Sequence, residues 1–422
     1  MPAASLSTTP TLRLDGATLL QQLQELAAIG HDPQQGGRTR IALSDADKAG
    51  RDLLVGWMRA LDLQVRIDRI GNIFGTLRAD GDLGQQPVLM IGSHIDTVTN
   101  AGALDGCYGV LAGLAVARAY RAAGVTPRRS ICIAAFTNEE GVRYQPDMLG
   151  SLVYAGGLDI DQALDLVGTD GSRLGDELAR IGYAGDMEPG ALRPHEYLEL
   201  HIEQGPILEA ENCQIGVVEN LQGISWQQIT VQGSANHAGT TPTHLRHDAG
   251  WVAAATTVFL RELAQDSAGT TLATVGCLQL EPNVINVIPR RAVFSVDLRD
   301  PDEQRLLAAE QRLARFLADA AAGEGVTVTH ETLARFQPVV FDPGLTRLIA
   351  TCTRELGLSQ RPMTSGAGHD AQMIARIAPA AMIFVPSRGG ISHNPREHTD
   401  DQQLLDGAQV LLAVVQRRLE QA

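Results

Sequence analysis

The order of apolar and polar positions predicts alternating helices and strands along the first half of the chain. Leucines at helical spacing follow Asp15, which predicts a capped helix that ends at Gly30, and Ser44-x-x-Asp47 opens a second amphipathic helix. Short runs typical of strands lie at 64–67, 73–77, 87–91 and 131–136, with a helical pattern between the last two. Strand, helix and strand in this order predict an α/β fold with a largely parallel sheet.

The pattern changes near Gln222 and changes back near residue 336. The predicted elements between these points are strands at 224–231, 271–280, 292–298 and 326–332, and helices at 248–263 and 302–321. After them come a strand at 381–385 and a final helix from about Asp401. We therefore predict a discontinuous α/β catalytic domain, 13–222 with 336–422, that carries an inserted α+β domain of ordinary size, 223–335.

The composition is that of a globular protein and limits the classes of partner. The 422 residues are 44% hydrophobic and 20% charged, enough to build two cores. The net charge of -15 argues against nucleic acid and against anionic membrane surfaces as partners. A local arginine still permits an anionic substrate. No apolar run approaches the roughly 18 residues of a membrane span.

The cysteines and the N-terminus bear on the compartment. There are five cysteines and no C-x-x-C pair, which fits neither a disulfide framework nor a cysteine zinc site. Residues 1–12 lack the basic and apolar regions of a signal peptide and are predicted to form a loose tail. These features predict a cytoplasmic protein.

Histidines and carboxylates stand at or just after several predicted strands. Such side chains bind divalent metals through nitrogen and oxygen, and strand ends hold them rigidly. His201 lies on a predicted strand, and because side chains alternate between the two faces of a strand, its ring shares one face with Glu199 and Glu203. The candidates as a set are His94, Asp105, Glu139, Glu140, His201 and His393.

A two-metal site accounts for this set. One carboxylate must bridge the metals, and Asp105 is the natural bridge. The adjacent Glu139 and Glu140 cannot easily face one metal together, so one can bind metal while the other acts on a water, which two cations make nucleophilic near neutral pH. Asp96, two residues after His94, is placed to hold the imidazole ring. Each residue alone is also typical of a turn or a structural histidine, so the prediction depends on the combination.

Seven motifs, in chain order, resemble those of one enzyme group. They are Gly-Ser-His-Ile-Asp-Thr-Val at 92–98, Leu-Asp-Gly at 104–106, Thr-Asn-Glu-Glu-Gly at 137–141, Leu-His-Ile-Glu-Gln-Gly-Pro at 200–206, Asn-His-Ala-Gly-Thr-Thr-Pro at 236–242, Ser-Gly-Ala-Gly-His-Asp-Ala at 365–371 and Ile-Ser-His-Asn-Pro at 391–395. This chain resembles the hydantoinase/carbamoylase group of the M20 metallopeptidase-like amidohydrolases. The group holds N-carbamoyl-L-amino acid hydrolases, allantoate amidohydrolases and β-ureidopropionases.

The resemblance implies a metal-bearing α/β domain with an inserted lid domain that also forms a homodimer. It implies that His94, Asp105 and His201 bind one metal and that Asp105, Glu140 and His393 bind the other. Zinc is expected first, and manganese, cobalt and nickel also suit these ligands.

The resemblance also implies roles in catalysis and substrate binding. Glu139 would be the general base that carries a proton from water to the leaving nitrogen. His237 would stabilise the oxyanion, in this group often from the partner subunit. His369 would support the site. The residues implied to hold the substrate amide and carboxylate are Gln204, Asn286 and Arg299, the last because a guanidinium pairs with both carboxylate oxygens.

The reaction implied is cleavage of the carbamoyl C–N bond of an N-carbamoyl-L-amino acid, a small ureido carboxylate, to the amino acid, ammonia and carbon dioxide. Allantoate amidohydrolase and β-ureidopropionase share the same ligands and stay open as alternatives, because substrate choice depends on pocket shape. A catalytically silent binding protein on the same fold is the alternative from another class. The intact ligand set and Glu139 argue against it.

Overall fold

The computed structural model describes residues 12–82, 84 and 86–420. The loose tail predicted for 1–12 lies outside these residues except for Leu12, which is buried. The chain forms two compact units: unit 1 runs to Glu219 and resumes at Phe341, and unit 2 is Asn220–Val340. The insertion predicted at 223–335 lies within unit 2. None of the described helices combines the length and the apolar character needed to span a bilayer.

The strands alternate with helices over most of the described chain. The strands are β1 Gln64–Ile67, β2 Ile73–Leu77, β3 Val88–His94, β4 Ile131–Phe136, β5 Pro194–Ile202, β6 Ile215–Leu221, β7 Gly223–Gln232, β8 Leu272–Thr274, β9 Leu278–Glu281, β10 Arg291–Asp300, β11 Thr327–Phe336, β12 Val339–Val340, β13 Gln360–Ser365 and β14 Ala380–Val385. The helices are α1 Gly16–Ala27, α2 Asp45–Ala60, α3 Cys107–Ala122, α4 Leu149–Tyr154, α5 Ile160–Leu164, α6 Leu174–Ile181, α7 Ile207–Ala210, α8 Ala249–Asp266, α9 Glu303–Glu324, α10 Pro343–Glu355, α11 Asp370–Ile374 and α12 Asp401–Glu420.

The first two helices begin where the sequence predicts. The carboxylate of Asp15 accepts the backbone N–H of Thr18 at 3.1 Å, and the hydroxyl of Ser44 accepts that of Asp47 at 3.2 Å. Each cap satisfies a backbone donor that has no partner within its helix. These helix starts are therefore local properties of the sequence.

The main sheet has the strand order β1-β2-β4-β3-β5-β14-β6-β12, with β13 paired to β6. Its four central strands β4, β3, β5 and β14 are parallel, so their carboxyl ends meet at one edge. Their registers pair His94 with Phe136 and His201 with Phe384. The mixed sheet with helices confirms the predicted α/β class.

Central position explains the burial of these strands. Every residue of β3, β4 and β14 is buried, as are the last seven residues of β5. The polar residues among these last seven therefore face packed neighbours, not water, and the buried Glu199 and His201 need partners there. The nearly continuous apolar helix α3 packs on β3 and β5 and closes the core on one face.

Unit 2 contains a five-stranded antiparallel sheet in the order β11-β7-β10-β8, with β9 also on β10. Helices α8 and α9 pack on it, and Phe259 and Phe316 stack between them with ring centroids 4.3 Å apart. The stretch 271–280, predicted as one strand, is interrupted. Thr274 pairs with Asp297 but Leu278 pairs with Phe294, so three residues face two across a β-bulge.

Candidate metal centre

The predicted ligands in unit 1 lie together at the carboxyl edge of the central strands. His94 is the last residue of β3, His201 is near the end of β5, and Glu139 and Glu140 follow β4. Asp105 lies between β3 and α3, and the loop that carries His393 follows β14. The parallel sheet brings these distant segments to one place because their strands end at the same edge.

Asp105 lies between two groups of side chains. Its Oδ1 atom is 3.2 Å from His201 Nε2 and 3.5 Å from His94 Nε2, and its Oδ2 atom is 3.2 Å from His393 Nε2. In each of the groups His94–Asp105–His201 and Asp105–Glu140–His393, the potential ligand atoms lie within 4.8 Å of one another. One carboxylate thus serves both groups, one oxygen to each, which is the arrangement of a bridging ligand.

The two adjacent glutamates face different histidines. Glu140 Oε2 is 3.2 Å from His393 Nε2, whereas Glu139 Oε2 is 3.4 Å from His94 Nε2. Asn138, just before them, adopts a left-handed backbone with φ 57° and donates its side-chain amide to the carbonyl of Tyr144 at 2.8 Å. This turn directs the neighbouring carboxylates to separate positions.

Asp96 contacts both sides of the site. Its backbone carbonyl is 3.0 Å from His94 Nδ1, while its carboxylate accepts the backbone N–H of Glu139 at 3.2 Å and of Glu140 at 3.3 Å. Asp96 Oδ1 is 3.8 Å from His94 Nδ1. The carbonyl of Asp96 therefore makes the closest contact to the ring, and the carboxylate fixes the glutamate pair.

Backbone groups set the orientation of the buried histidines. His201 Nδ1 is 2.9 Å from the carbonyl of Ile202, and its Nε2 accepts the N–H of Gly106 at 3.1 Å. The Nε2 atom of His201 therefore points toward Asp105, 3.2 Å from its Oδ1 atom. Gly106 has φ 65°, and a Cβ there would lie 2.4 Å from His94 Nε2. Only glycine leaves room for the imidazole at this junction.

Positive charge on the histidines balances the carboxylates. Burial alone would raise the pKa of Asp105, but its contacts with His201, His393 and His94 outweigh burial and hold that pKa well below its usual value. Hydrogen bonds with Asp105 and Glu140 raise the pKa of His393 to about 10. Burial raises the pKa of Glu139 well above its usual range, against the opposing charge of His94. A cation bound here would stabilise the same carboxylates in place of the histidine protons.

His369 and Glu199 lie next to His201, a member of the His94–Asp105–His201 group. The His369 ring packs edge-on against the His201 ring with centroids 4.6 Å apart, and its Nε2 lies 3.0 Å from Ser365 Oγ. Glu199 accepts hydrogen bonds from Ser93 Oγ at 2.7 Å and from the backbone of Ala371 at 2.8 Å. Although Glu199, His201 and His369 are close enough to bind an ion, the oxygens of Glu199 already have donors.

Three further residues lie beside Asp105. Gln204, predicted to hold substrate, has φ 56° and donates its amide to Asp105 Oδ2 at 2.8 Å. Ser392 and Glu397 also lie here, and neither is among the residues predicted from the sequence. Both lie close to His393 in the sequence, and this proximity to a predicted ligand could have indicated that they belong to the site. The backbone N–H of Asp105 donates to Glu397 Oε1 at 3.3 Å.

The remaining predicted residues belong to unit 2. His237 and Asn286 lie on neighbouring segments, because the N–H of Ala238 donates to the carbonyl of Asn286 at 2.9 Å. His237 Nδ1 accepts the backbone N–H of Gly239 at 3.1 Å and of Thr240 at 3.2 Å. Arg299 lies on β10 and donates to the Asp297 carboxylate, 2.9 Å from Nη2 to Oδ2.

The donor set fits a pair of divalent metals. Imidazole nitrogen and carboxylate oxygen suit zinc, manganese, cobalt and nickel. Glu140 Oε1 is buried and has no hydrogen-bond partner among the described residues. A buried carboxylate oxygen without a donor is costly unless a cation faces it.

Comparison with known proteins places the chain in a family. Peptidase family M20/M25/M40 matches residues 90–417, most of the chain. The chain belongs to this family. It is therefore a hydrolase that acts on C–N bonds, and the resemblance predicted from the motifs is confirmed.

Relatives within the family match nearly the whole chain. The N-carbamoyl-L-amino-acid amidohydrolase of Rhizobium meliloti is 39% identical over 403 residues, 96% of each protein. The ureidoglycolate hydrolase of Arabidopsis thaliana is 34% identical over 96% of this chain and 87% of its own. The crystal structure of an amidase of the hydantoinase/carbamoylase family from Burkholderia multivorans is 42% identical, covers 97% of this chain and 99% of its own, and has a TM-score of 0.92.

Proposed function

We propose that this protein hydrolyses the carbamoyl C–N bond of an N-carbamoyl-L-amino acid and releases the amino acid, ammonia and carbon dioxide. The observation that carries the proposal is the placement of Asp105, with one oxygen toward His94 and His201 and the other toward His393. The relative from Rhizobium meliloti, which carries the name of this activity, supports the substrate class.

The proposed cofactor is two divalent metal ions per chain, with zinc first and manganese, cobalt or nickel as alternatives. His94, Asp105 and His201 would hold one ion, and Asp105, Glu140 and His393 the other. When bound, such ions polarise a carbonyl and lower the pKa of water. The protein contributes the spacing, which the buried strand ends fix.

Glu139 is the proposed general base. Its buried carboxylate lies 3.4 Å from His94 Nε2 and adjoins the metal ligands without belonging to either three-residue group. Burial raises the pKa of Glu139 well above its usual range, which suits a group that must both accept a proton from water and give it to the leaving nitrogen.

His237 is the proposed donor to the oxyanion. Because backbone N–H groups of Gly239 and Thr240 point at Nδ1, the neutral ring carries its proton on Nε2. That nitrogen is then a donor for negative charge that develops on the substrate oxygen. Gln204 and Asn286 are the proposed partners of the substrate amide, and Arg299 that of its carboxylate.

Ammonia release from a panel of ureido compounds tests the function. The purified protein, with its metal content measured, is assayed on N-carbamoyl-L-amino acids, allantoate, N-carbamoyl-β-alanine and ureidoglycolate. An N-carbamoyl-D-amino acid and a dipeptide are the controls. We expect the highest kcat/KM with an N-carbamoyl-L-amino acid. A higher value with allantoate or N-carbamoyl-β-alanine would move the protein to one of the alternative activities, and the 34% identical ureidoglycolate hydrolase makes that substrate a further one to exclude.

We also propose that two copies pair through unit 2. Helix α8 exposes Trp251 and Val258, two turns apart on one face, with 51% and 59% of their surfaces accessible. Exposed large apolar side chains on one face are typical of an interface. Sedimentation of the wild type and of Trp251→Glu tests this. A monomeric wild type would contradict the pairing.

A reducing compartment such as the cytoplasm is proposed for the protein. All five cysteines are free, and four of them are buried. Free buried thiols are typical of proteins kept under reducing conditions. If the purified protein forms a disulfide in oxidising buffer and stays fully active, that result would contradict the proposed compartment.

A further inference from the structure

Glu397 joins two segments that are far apart in the sequence. Its Oε1 atom accepts the backbone N–H of Leu104 at 2.8 Å and of Asp105 at 3.3 Å, across 293 and 292 residues. The side chain is buried, with 8% of the residue accessible. A buried carboxylate that accepts backbone donors fixes the segment that carries them.

Ser392 extends this contact to the other side of the site. Its hydroxyl oxygen is 3.0 Å from Glu397 Oε2 and 3.1 Å from Asp105 Oδ2. Ser392 directly precedes His393, so the same carboxylate that fixes the Asp105 backbone also fixes the loop that presents His393. The ring of His393 itself is half exposed, and packing alone restrains it little.

The space for Glu397 is closely defined. A Cβ atom at Gly102 would lie 2.2 Å from Glu397 Oε1 and 2.3 Å from Glu397 Cβ. Glycine at this position therefore lets the Glu397 side chain pass directly against the backbone of the Asp105 loop. A methyl group here would displace the carboxylate without changing it chemically.

We propose that Glu397 is a positioning residue that sets the distance between Asp105 and His393 and so determines metal affinity at the Asp105–Glu140–His393 group. The inference rests on the proposed two-metal function. The positions of His94 and His201 depend less on Glu397, because both residues belong to central strands held by sheet hydrogen bonds. Loss of Glu397 should therefore weaken one of the two metal positions selectively.

Glu196 offers a matched control. It is also a buried glutamate, 6% accessible, and it joins distant segments through Arg418, 2.9 Å from Arg418 Nε to Glu196 Oε2. It lies near the amino end of β5, and the metal ligand of that strand lies near the other end. Glu196→Gln should therefore disturb packing to a similar degree and leave the metal positions unchanged.

The test is calorimetric titration of the metal-stripped protein with zinc, with no substrate present. We expect the wild type and Glu196→Gln to bind two equivalents per chain with the same affinities. Glu397→Gln and Glu397→Ala should bind the first equivalent normally and the second about 10- to 100-fold more weakly, the effect typical of residues that orient metal ligands. Equal affinities in wild type and both Glu397 variants would overturn the inference.

Two further variants keep the test decisive if a Glu397 variant does not fold. Gly102→Ala displaces the Glu397 carboxylate, and Ser392→Ala removes its contact to the His393 loop. Each variant should bind only the second zinc equivalent more weakly. Normal second-site affinity in both would also overturn the inference. If the wild type binds two zinc ions but turns over no ureido compound, the proposed substrate fails while the metal titration still decides on Glu397. A wild type that binds no divalent metal overturns both.

Discussion

The carboxylate of Asp96 accepts the backbone N–H of Glu139 at 3.2 Å. Its second oxygen accepts the next N–H along the chain, and its own carbonyl lies 3.0 Å from a ring nitrogen of His94. Asp96 thus links the proposed general base to a proposed metal ligand. This hydrogen bond holds the backbone from which the Glu139 side chain projects.

Asp96→Asn should lower kcat with little loss of folded protein. One carboxylate oxygen becomes an NH₂ group, which cannot accept the N–H of Glu139 or Glu140, so one of the two contacts is lost. We expect a decrease of about 10- to 100-fold. Asp159→Asn is the control, because Asp159 also accepts two successive backbone N–H groups but caps the exposed start of α5. Equal kcat values in the two variants would mean that Asp96 has no orienting role.

Glu139→Gln and Glu140→Gln should differ in kind. Glu139→Gln removes the proposed proton carrier, so kcat should decrease by at least ~100-fold while metal content stays at the wild-type level. Glu140→Gln removes a proposed ligand, so metal content itself should decrease. Steady-state kinetics and elemental analysis on the same preparations measure both. Near-normal turnover in Glu139→Gln would exclude Glu139 as the general base.

His393→Ala should lose one metal ion per chain and keep the other. The His393 side chain is 50% exposed whereas that of His201 is 1% exposed, so a chelator should also empty the His393 position first in the wild type. His398→Ala is the control, since its side chain is 46% exposed in the same region and pairs with Asp400 instead. Retention of both ions by His393→Ala would remove it from the ligand set.

Asp68 should make unit 1 less stable as the pH rises. Asp68 is fully buried, and burial raises its pKa to about 7 against hydrogen bonds from Asn72. The folded state then binds the proton more tightly than the unfolded chain does, so the stabilisation is full below about pH 4 and is lost between about pH 4 and pH 7. The loss is at most about 4 kcal/mol. The free energy of unfolding of the wild type, minus that of Asp68→Asn, should therefore decrease from pH 5 to pH 8. If the free energy of unfolding depends on pH in the same way in both proteins, this prediction is wrong.

Much of the site could be predicted from the sequence because its motifs are short and its residue types are chemically distinctive. Their positions on predicted strands or in adjoining loops are enough to predict His94, Asp105, Glu139, Glu140, His201 and His393 as candidates. Their convergence follows from one topological fact, the parallel alignment of β4, β3, β5 and β14. The order of those strands comes from packing, which periodicity does not encode.

The residues that were missed act across long separations. Glu397 contacts Leu104 from 293 residues away, and nothing in the sequence near either one indicates the other. The interruption between β8 and β9 likewise depends on the register of β10, because a bulge is defined only against its partner strand.

The sequence by itself determined the helix caps at Asp15 and Ser44, the division into an α/β part and an α+β insertion, and the candidates for the chemically active side chains. These follow from interactions within about four residues or from residue type alone. Only the tertiary structure decided which oxygen of Asp105 faces which histidine, and that Asp96 fixes the glutamate pair. Such distances depend on how separate segments pack, because each hydrogen bond there joins groups that chain connectivity leaves free to be far apart.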